Sequence, residues 1–194
     1  MKERPFICRD HEVRAILDGR KTQARRIVKP QPVWGVLPDG YGPCWHWQPK
    51  SWGSHWVGFS ENNNGQECLN GHCPYGQPGD RLWVRESWYE SPMTGECKYK
   101  ADGEVIGWNP RPSIHMPRWA SRITLEVTGI RCEQLGHITE ADARSEGMKE
   151  PSCGWSPDNS AVDAFCKTWC DLYSMESLDA NPYVWVVEFK MVTP

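Results

Sequence analysis

The fold of this chain depends on one stretch, Gly19-Arg20-Lys21-Thr22-Gln23-Ala24-Arg25-Arg26. A short amphipathic helix is predicted just before it, with Asp10 as its N-terminal cap. The apolar face of that helix is formed by Val13, Ile16 and Leu17. Gly19 then ends the helix in the left-handed conformation that other residues avoid. The basic residues of the stretch therefore follow a helix stop directly.

The stretch carries a compact cluster of positive charge. Lys21, Arg25 and Arg26 lie close together in sequence, and a strand is predicted from Ala24 to Lys29, where Pro30 closes it. Long cationic side chains on so short a segment can converge on an anion such as a phosphate group. The alternative is a solvated basic patch with no ligand. The cluster makes RNA, DNA or a nucleoside the candidate ligand.

Length and composition indicate a single domain that covers residues 1–194. The chain has 39% hydrophobic residues and a net charge of −3, so any affinity for nucleic acid must come from local clusters of Lys and Arg. No apolar run is long enough to span a bilayer, and the N-terminus resembles no secretory signal. The expected location is the cytoplasm, without membrane association. Nine cysteines in such a chain favour thiols or metal ligands over disulfides.

A long irregular insertion is predicted at about residues 30–78, because this region is rich in Trp, Gly and Pro and has no period. Two short Cys/His groups lie inside it. A structural zinc ion held by Cys44, His46, Cys68 and Cys73 would order such a loop, whereas plain buried thiols are the alternative. None of the functional hypotheses below requires a cofactor.

The rest of the chain predicts strands mixed with a few short helices. Strands are expected at Arg81–Trp88, Ile123–Cys132 and Tyr183–Val192, with a register slip near Gly129. A hairpin is expected around Asp102-Gly103, with Cys97–Ala101 and Glu104–Trp108 as its strands. Since strands and helices do not alternate regularly, the pattern predicts a small α+β barrel.

Two later helices are predicted from capping signals. Thr139 with Asp142 starts a helix that runs from Glu140 to Glu146 and stops at Gly147, and Ser160 with Asp163 starts a second one. The second helix carries an apolar face, which its spacing assigns to the core. That face consists of Val162, Phe165, Cys166, Trp169, Leu172 and Tyr173.

Five short motifs occur in the order typical of one family. They are Gly19-Arg20-Lys21-Thr22 with Arg26, Gly79–Val84, Ile123–Thr128, Ile138–Met148 and Val186–Lys190. In this combination the chain resembles the ASCH domain family, and the resemblance covers nearly the whole chain apart from insertions. It implies a PUA-like mixed β-barrel with short flanking helices. The family suggests RNA or a modified nucleoside as the ligand.

A narrower resemblance concerns ASCH proteins encoded by tailed phages and prophages. It rests on Cys73–Gly76 running into Gly79–Glu86, and on Ser113–Arg122. If the chain is phage-encoded, it would act in the cytoplasm of a bacterial host. Within the second segment His115, Arg118 and Trp119 could hold a nucleotide by charge and stacking, or form an ordinary packed insertion.

A small bacterial amidohydrolase of the same family removes the acyl group from N4-acetylcytidine with Lys, Thr and Glu. Lys21 matches that lysine and Glu146 matches that glutamate. Ala24 stands where the relative has its threonine, and a methyl group can neither attack a carbonyl nor donate a proton. Thr22 is the nearest hydroxyl group, and a water activated by Lys21 is the other route to hydrolysis.

Four functional hypotheses follow. The first is binding of RNA or a modified nucleoside in a pocket built from Lys21, Arg25, Arg26 and Glu146. The second is hydrolysis of N4-acylated cytidine by Lys21 and Glu146. The third is a ribonuclease in which Lys21 and Arg26 stabilise phosphate charge. The fourth is a phage protein that acts through a host protein partner.

Overall fold

The computed structural model describes residues 1–36, 43–47, 57–59, 73–91, 93–148 and 160–192, and for 33–36, 43–47 and 57–59 it gives the backbone alone. The strands of the main sheet are β1 (Glu3–Ile7), β2 (Gln23–Ile27), β6 (Arg81–Arg85), β9 (Thr124–Gln134) and β10 (Tyr183–Val192). The other strands are β3 (Val33–Val36), β4 (Pro43–Trp47), β5 (Val57–Phe59), β7 (Trp88–Glu90) and β8 (Cys97–Tyr99). The α-helices are α1 (Asp10–Leu17), α2 (Glu140–Ser145), α3 (Ala161–Tyr173) and α4 (Met175–Asp179). The mixed α+β class predicted from the sequence is confirmed.

The main sheet has five strands in the order β1-β6-β9-β10-β2. Strands β1 and β6 run parallel, and the other neighbours are antiparallel. The register between β9 and β10 shifts between Glu188 and Phe189, which face Gly129 and Val127. This shift confirms the predicted slip near Gly129.

The predicted closed barrel is not seen in the described part of the chain. Strands β1 and β2 are the two ends of the hydrogen-bonded order, and no ladder between described residues joins them. The contact between these edges is made by a side chain instead, because the Arg26 guanidinium donates to the carbonyl of Ile7 over 3.1 Å. The architecture is therefore an open five-stranded sheet with flanking helices.

Strand β10 is apolar along most of its length because both faces of the sheet are covered. Trp185 and Val187 belong to one buried cluster together with Phe6 and Leu82. Val184 and Val186 point to the opposite face, into a second cluster with residues of α2 and α3. A strand buried on both faces needs apolar residues at every position, which explains the continuous run. The predicted strand Tyr183–Val192 is confirmed at both ends.

The prediction of an irregular stretch from 30 to 78 was wrong in part. Strands β3, β4 and β5 form a separate three-stranded antiparallel sheet within this region. Trp45 pairs with Trp34 on one side and with Phe59 on the other. The frequent Gly and Pro residues hid these short strands, since no period extends over enough residues to reveal them.

The predicted hairpin around Asp102-Gly103 was also wrong. Strand β8 pairs instead with β7, and Lys100–Asp102 forms a single turn of 3-10 helix. The predicted strand Arg81–Trp88 is divided, because β6 ends at Arg85 and Trp88 begins β7. The Asp102-Gly103 dipeptide thus marks the end of a 3-10 turn, and no strand follows it at Glu104–Trp108.

Two of the three helices near the candidate site follow their predicted capping signals. Thr139 and Ser160 accept hydrogen bonds from the backbone of Asp142 and Asp163, as predicted for α2 and α3. In α1 the cap position is Arg9 and not Asp10, and the carboxylate of Glu12 accepts from the Arg9 backbone over 2.9 Å. None of the helices in the described residues is long and apolar enough to cross a membrane.

Candidate functional site

A backbone contact places the first half of the site against the second. Lys21 and Glu146 form an isolated antiparallel bridge, and the Thr22 amide donates to the Ser145 carbonyl over 2.8 Å. Gly147 follows with a φ of +88°, and a side chain there would come within 2.8 Å of Ala15 and 3.1 Å of Lys21. Gly19 ends α1 with a φ of +72°, as predicted. Two helix stops therefore bring the ends of α1 and α2 together.

The centre of the site is a buried ion pair between Lys21 and Glu146. The Lys21 ammonium lies 2.7 Å from Glu146 Oε2 and also donates to the Glu146 carbonyl over 3.0 Å. The two side chains are only 2% and 4% exposed. Such charges are stable in the interior only when each is paired and hydrogen-bonded. The two residues singled out from the sequence are in direct contact.

Arg25 extends this ion pair on its other side. Its Nη1 lies 3.2 Å from Glu146 Oε1, and its Nη2 lies 2.6 Å from Glu133 and 3.5 Å from Asp142. Arg25 points toward α3 because residues two apart in strand β2 share a face, and its guanidinium stacks 5.9 Å from the ring of Phe165. Its Nε is buried and has no hydrogen-bond partner among the described residues.

Arg26 points to the opposite face and pairs with Glu12 of α1. Its Nη2 lies 3.3 Å from Glu12 Oε1, and its guanidinium covers the ring of Phe6 at 4.9 Å. Glu12 also lies 3.6 Å from the Lys21 ammonium. Burial alone would raise the pKa of Glu12, but Arg26 and Lys21 outweigh it and hold that pKa at about 2. Glu12 is thus a permanent anion between two cations.

The Lys21–Glu146 pair lines a narrow cavity of about 30 Å³. Glu12, Arg25 and Arg26 reach it as well. The remaining wall is formed by one residue of α1, one residue that follows α2 and five residues of α3. They are His11, Met148, Phe165, Thr168, Trp169, Leu172 and Tyr173. This volume is that of about one water molecule.

The cavity corrects the assignment of the α3 face to the core. Phe165 and Trp169 are buried and belong to the second core cluster, as predicted. They also line the cavity, together with Leu172 and the partly exposed Tyr173. Helical spacing shows which residues share a face, but it does not distinguish a face that packs fully from one that borders a cavity.

The electrostatics of the cavity favour a small, largely uncharged ligand. Lys21, Arg25 and Arg26 each lie within 3.3 Å of a carboxylate oxygen. A phosphate would have to compete with these carboxylates for every cation. The basic cluster that the sequence predicted as a phosphate contact is therefore internally neutralised.

The structure keeps both Thr22, the hydroxyl candidate, and Ala24, which stands at the relative's threonine position, out of the cavity. Thr22 is exposed and does not line the cavity. Ala24 is 0% exposed and packs in the main core, so the residue at the family threonine position points away from solvent. The aliphatic hydroxyl that lines the cavity within α3 is that of Thr168, which donates to the Ala164 carbonyl over 2.9 Å.

The predicted nucleotide-holding loop lies outside the cavity. His115 is exposed at the end of a 3-10 turn, and Arg118 forms an ion pair with Glu3 at 3.0 Å. Trp119 is 65% exposed and meets the edge of Trp88 with ring centroids 5.7 Å apart. None of the three residues lines the cavity at Lys21.

The proposed zinc ligands fall mostly outside the described side chains. Cys44 and His46 lie on β4, where only the backbone is described, and Cys68 lies outside the described residues. Cys73 is a buried free thiol, and burial raises its pKa to about 12. Within the described ranges no three Cys, His, Asp or Glu residues are grouped as a metal site.

Several residues of the site were missed in the sequence. Glu12, Glu133 and Asp142 hold the three cations in place, yet they lie in three different elements. Only Glu12 carried a usable signal, because it lies one helical turn from the cap of α1 and next to the basic stretch. Pairing across the sheet brings Glu133 to Arg25, and no local pattern encodes that contact.

The fold and site define a class: a mixed α+β protein with a buried lysine–glutamate pair at the end of a narrow, partly aromatic cavity. The chain matches no family model, no curated protein and no solved structure.

Proposed function

We propose that this chain is a PUA-like ASCH protein that binds a modified nucleoside, with a cytidine acylated on its exocyclic amine as the first candidate. The observation that carries the proposal is the buried contact of 2.7 Å between Lys21 and Glu146 at the wall of a cavity. The resemblance of the motifs to the ASCH family supports the choice of ligand. The neutralised charges of the site favour a nucleoside over a polyanion.

The residues of the cavity suit the chemistry of an acylated cytosine. The ammonium of Lys21 can donate a hydrogen bond to the acyl carbonyl, and the carboxylate of Glu146 can accept one from the exocyclic N–H. Phe165, Trp169 and Tyr173 offer flat apolar surfaces to the pyrimidine ring. One polar end and one aromatic wall are the usual make-up of a small-molecule site.

The cavity must widen before a nucleoside can occupy it. Its volume of about 30 Å³ is far below the 300 Å³ or more that is common for ligand sites. Leu172 and Tyr173 lie in the last turn of α3, and both are at least partly exposed. We expect these two side chains to swing outward when the ligand binds.

Calorimetric titration with N4-acetylcytidine, cytidine and uridine tests the proposal. We expect N4-acetylcytidine to bind most tightly, since only it offers both an acyl carbonyl and an N–H. Lys21→Met and Glu146→Gln should each weaken binding at least tenfold, because the first removes the donor and the second replaces a charged acceptor with a weaker neutral one. Lys190→Met is the control, since this exposed lysine pairs with Glu126 far along β10. Equal affinity of all four proteins would exclude the cavity as the site.

Hydrolysis of the acyl group is a second candidate function, favoured by the acid–base pair itself. A water molecule would attack the acyl carbonyl while Glu146 takes its proton, and Lys21 would stabilise the oxyanion. The C–N bond then breaks, the amine gains a proton, and cytidine and acetate are released. Because Ala24 is in the core and Thr22 is exposed, the nucleophile would be water and not a side chain.

Chromatographic detection of cytidine separates binding from hydrolysis. A hydrolase should release cytidine and acetate in equal amounts from N4-acetylcytidine, and Glu146→Gln should abolish the release. Turnover no higher than that of Lys21→Met would leave binding as the function.

A further inference from the structure

We infer that the open groove beside the N-terminal turn of α1 binds a phosphate group of the ligand, so that the full ligand is a nucleotide or a nucleotide within RNA. This inference rests on the proposed function, because the base of the same ligand would occupy the cavity at Lys21. The phosphate would lie on the other side of His11.

The groove is larger and more open than the cavity. Its volume is about 480 Å³, which is within the range of ordinary ligand sites. Strand β1 and helix α1 form one wall, and the segments at Ser87 and Ser113 form the other. The polar side chains that line it are Arg9, Asp10, His11, Arg14, Ser87 and Ser113.

The arginines that line the groove are available to bind a ligand, whereas the cations of the cavity are already paired with carboxylates. Arg9 is exposed and forms no ion pair with any residue in the described ranges. Arg14 is also exposed and uses Nη1 for the Ala101 carbonyl, at 3.1 Å. The carboxylate of Asp10 lies 3.7 Å from the Lys100 ammonium, so its charge is partly offset. Two guanidinium groups that line one groove suit a phosphate.

His11 joins the groove to the cavity, because it lines both. Partial burial lowers the pKa of His11, and together with nearby cations such as Lys21 it outweighs the opposite effect of Glu12, which keeps the ring neutral at pH 7. A neutral imidazole can contact a ribose hydroxyl without adding charge. The groove and the cavity are thus positioned for the phosphate and the base of one nucleotide.

Glu12 fixes the geometry between the two spaces. One of its carboxylate oxygens accepts from the Arg9 backbone, and the other faces Arg26 and Lys21. The start of α1, where Arg9 is the cap residue, is therefore tied to the ion pairs of the cavity. A ligand that spans both spaces would meet a largely preformed arrangement.

Titration of phosphorylated ligands tests the inference on the whole chain. The series compares N4-acetylcytidine with its 5′-monophosphate, its 3′-monophosphate and an RNA trinucleotide that has the modified cytidine at its centre and no terminal phosphate. We expect at least one phosphate-bearing ligand to bind roughly tenfold more tightly than the nucleoside. A gain for a monophosphate indicates a free nucleotide, and a gain for the trinucleotide alone indicates RNA. Equal affinity across the series would overturn the inference.

Variants of the groove provide the second arm. Arg9→Met and Arg14→Met should remove the gain from phosphate and leave the affinity for the nucleoside unchanged, whereas Arg14→Lys should keep part of the gain. Arg111→Met is a matched control, because it removes an exposed guanidinium that pairs with Glu90 outside the groove. A gain that survives in Arg9→Met and Arg14→Met would place the phosphate elsewhere.

The inference can be judged even if the proposed function fails. If N4-acetylcytidine does not bind, ribose 5-phosphate alone is titrated and followed by NMR shifts. Saturable binding that Arg9→Met and Arg14→Met both weaken would support the phosphate site without the nucleoside site. Absence of any Arg9-dependent or Arg14-dependent binding would overturn the inference separately.

Discussion

Lys21 and Glu146 illustrate the balance that buried charges require. Each would pay a large desolvation penalty alone, and their mutual attraction roughly offsets it. Lys21 has a second carboxylate in Glu12, and Glu146 has a second cation in Arg25. Removing one member leaves its neighbours buried and underpaired, which is more costly than losing the whole pair.

A double-mutant cycle measures this coupling. Lys21→Met and Glu146→Gln should each lower the free energy of unfolding by about 3 kcal/mol, because each leaves a buried charge with only its more distant partner. The double variant should lose at least 1 kcal/mol less than the sum of the two. Urea unfolding provides the measurement, and strict additivity would contradict a direct interaction between the two side chains.

The lowered pKa of Glu12 predicts that the stability of the folded chain depends on pH. Its pKa is about 2 in the folded chain against an ordinary value of 4.5, because Arg26 and Lys21 outweigh its burial. A depressed carboxyl pKa stabilises the folded state above pH 4.5, and this contribution disappears as the pH falls toward 2. The contribution is on the order of 3 kcal/mol at neutral pH.

Glu12→Gln should remove this part of the pH dependence. The stability difference between the wild type and Glu12→Gln is expected to shrink as the pH falls from 4.5 to 2, measured by urea unfolding at each pH. A difference that stays constant over this interval would mean that Glu12 is not held as a depressed anion.

Among the elements of the site, the end of α2 is the one least tolerant of substitution. Gly147 has a positive φ, and its backbone lies against Ala15 of α1 and against Lys21. This close approach is what places Glu146 on the ammonium of Lys21. Gly19 also has a positive φ, but a side chain there would meet no atom within 4 Å.

The two glycines form a matched pair of variants. Gly19→Ala should cost about 1 kcal/mol, the strain of a left-handed residue. Gly147→Ala should cost about 3 kcal/mol, since overpacking against Ala15 and Lys21 is added to the strain. Gly147→Ala should also weaken N4-acetylcytidine binding, whereas Gly19→Ala should not. Equal losses of stability would show that the contact at Gly147 is not tight.

At the scale of the whole molecule, the sheet buries thiols at different depths. Cys8, Cys73 and Cys132 are buried, and burial raises their pKa values. Cys97, Cys166 and Cys170 are partly exposed free thiols. Since the thiolate is the reactive form, the first group should react only after unfolding.

Timed alkylation followed by peptide mass spectrometry tests this arrangement. In the native protein the partly exposed Cys97, Cys166 and Cys170 should react within minutes. The three buried thiols should react at least tenfold more slowly, because they become accessible only when the core opens. All six should react alike in urea. Rapid native modification of Cys8 or Cys132 would contradict the packing of the five-stranded sheet.

Local sequence determined much of this protein. The helix stops at Gly19 and Gly147, the caps at Thr139 and Ser160, and the strand Tyr183–Val192 were all predictable, because each depends on residues within a few positions of it. The contact between Lys21 and Glu146 followed from a resemblance and not from spacing.

The pairing of charges at the site depends on tertiary contacts and not on local sequence. Glu12 contacts Lys21, and Glu133 contacts Arg25, because α1, β9 and β2 come together, and contacts between distant elements leave no local period in the sequence. The same is true of the cavity wall on α3, the open order of the main sheet and the separate sheet β3-β4-β5. The sequence determined which residues carry charge and where helices stop, and the folded chain determined which charges neutralise one another and which, as at Arg9, have no ion-pair partner among the described residues.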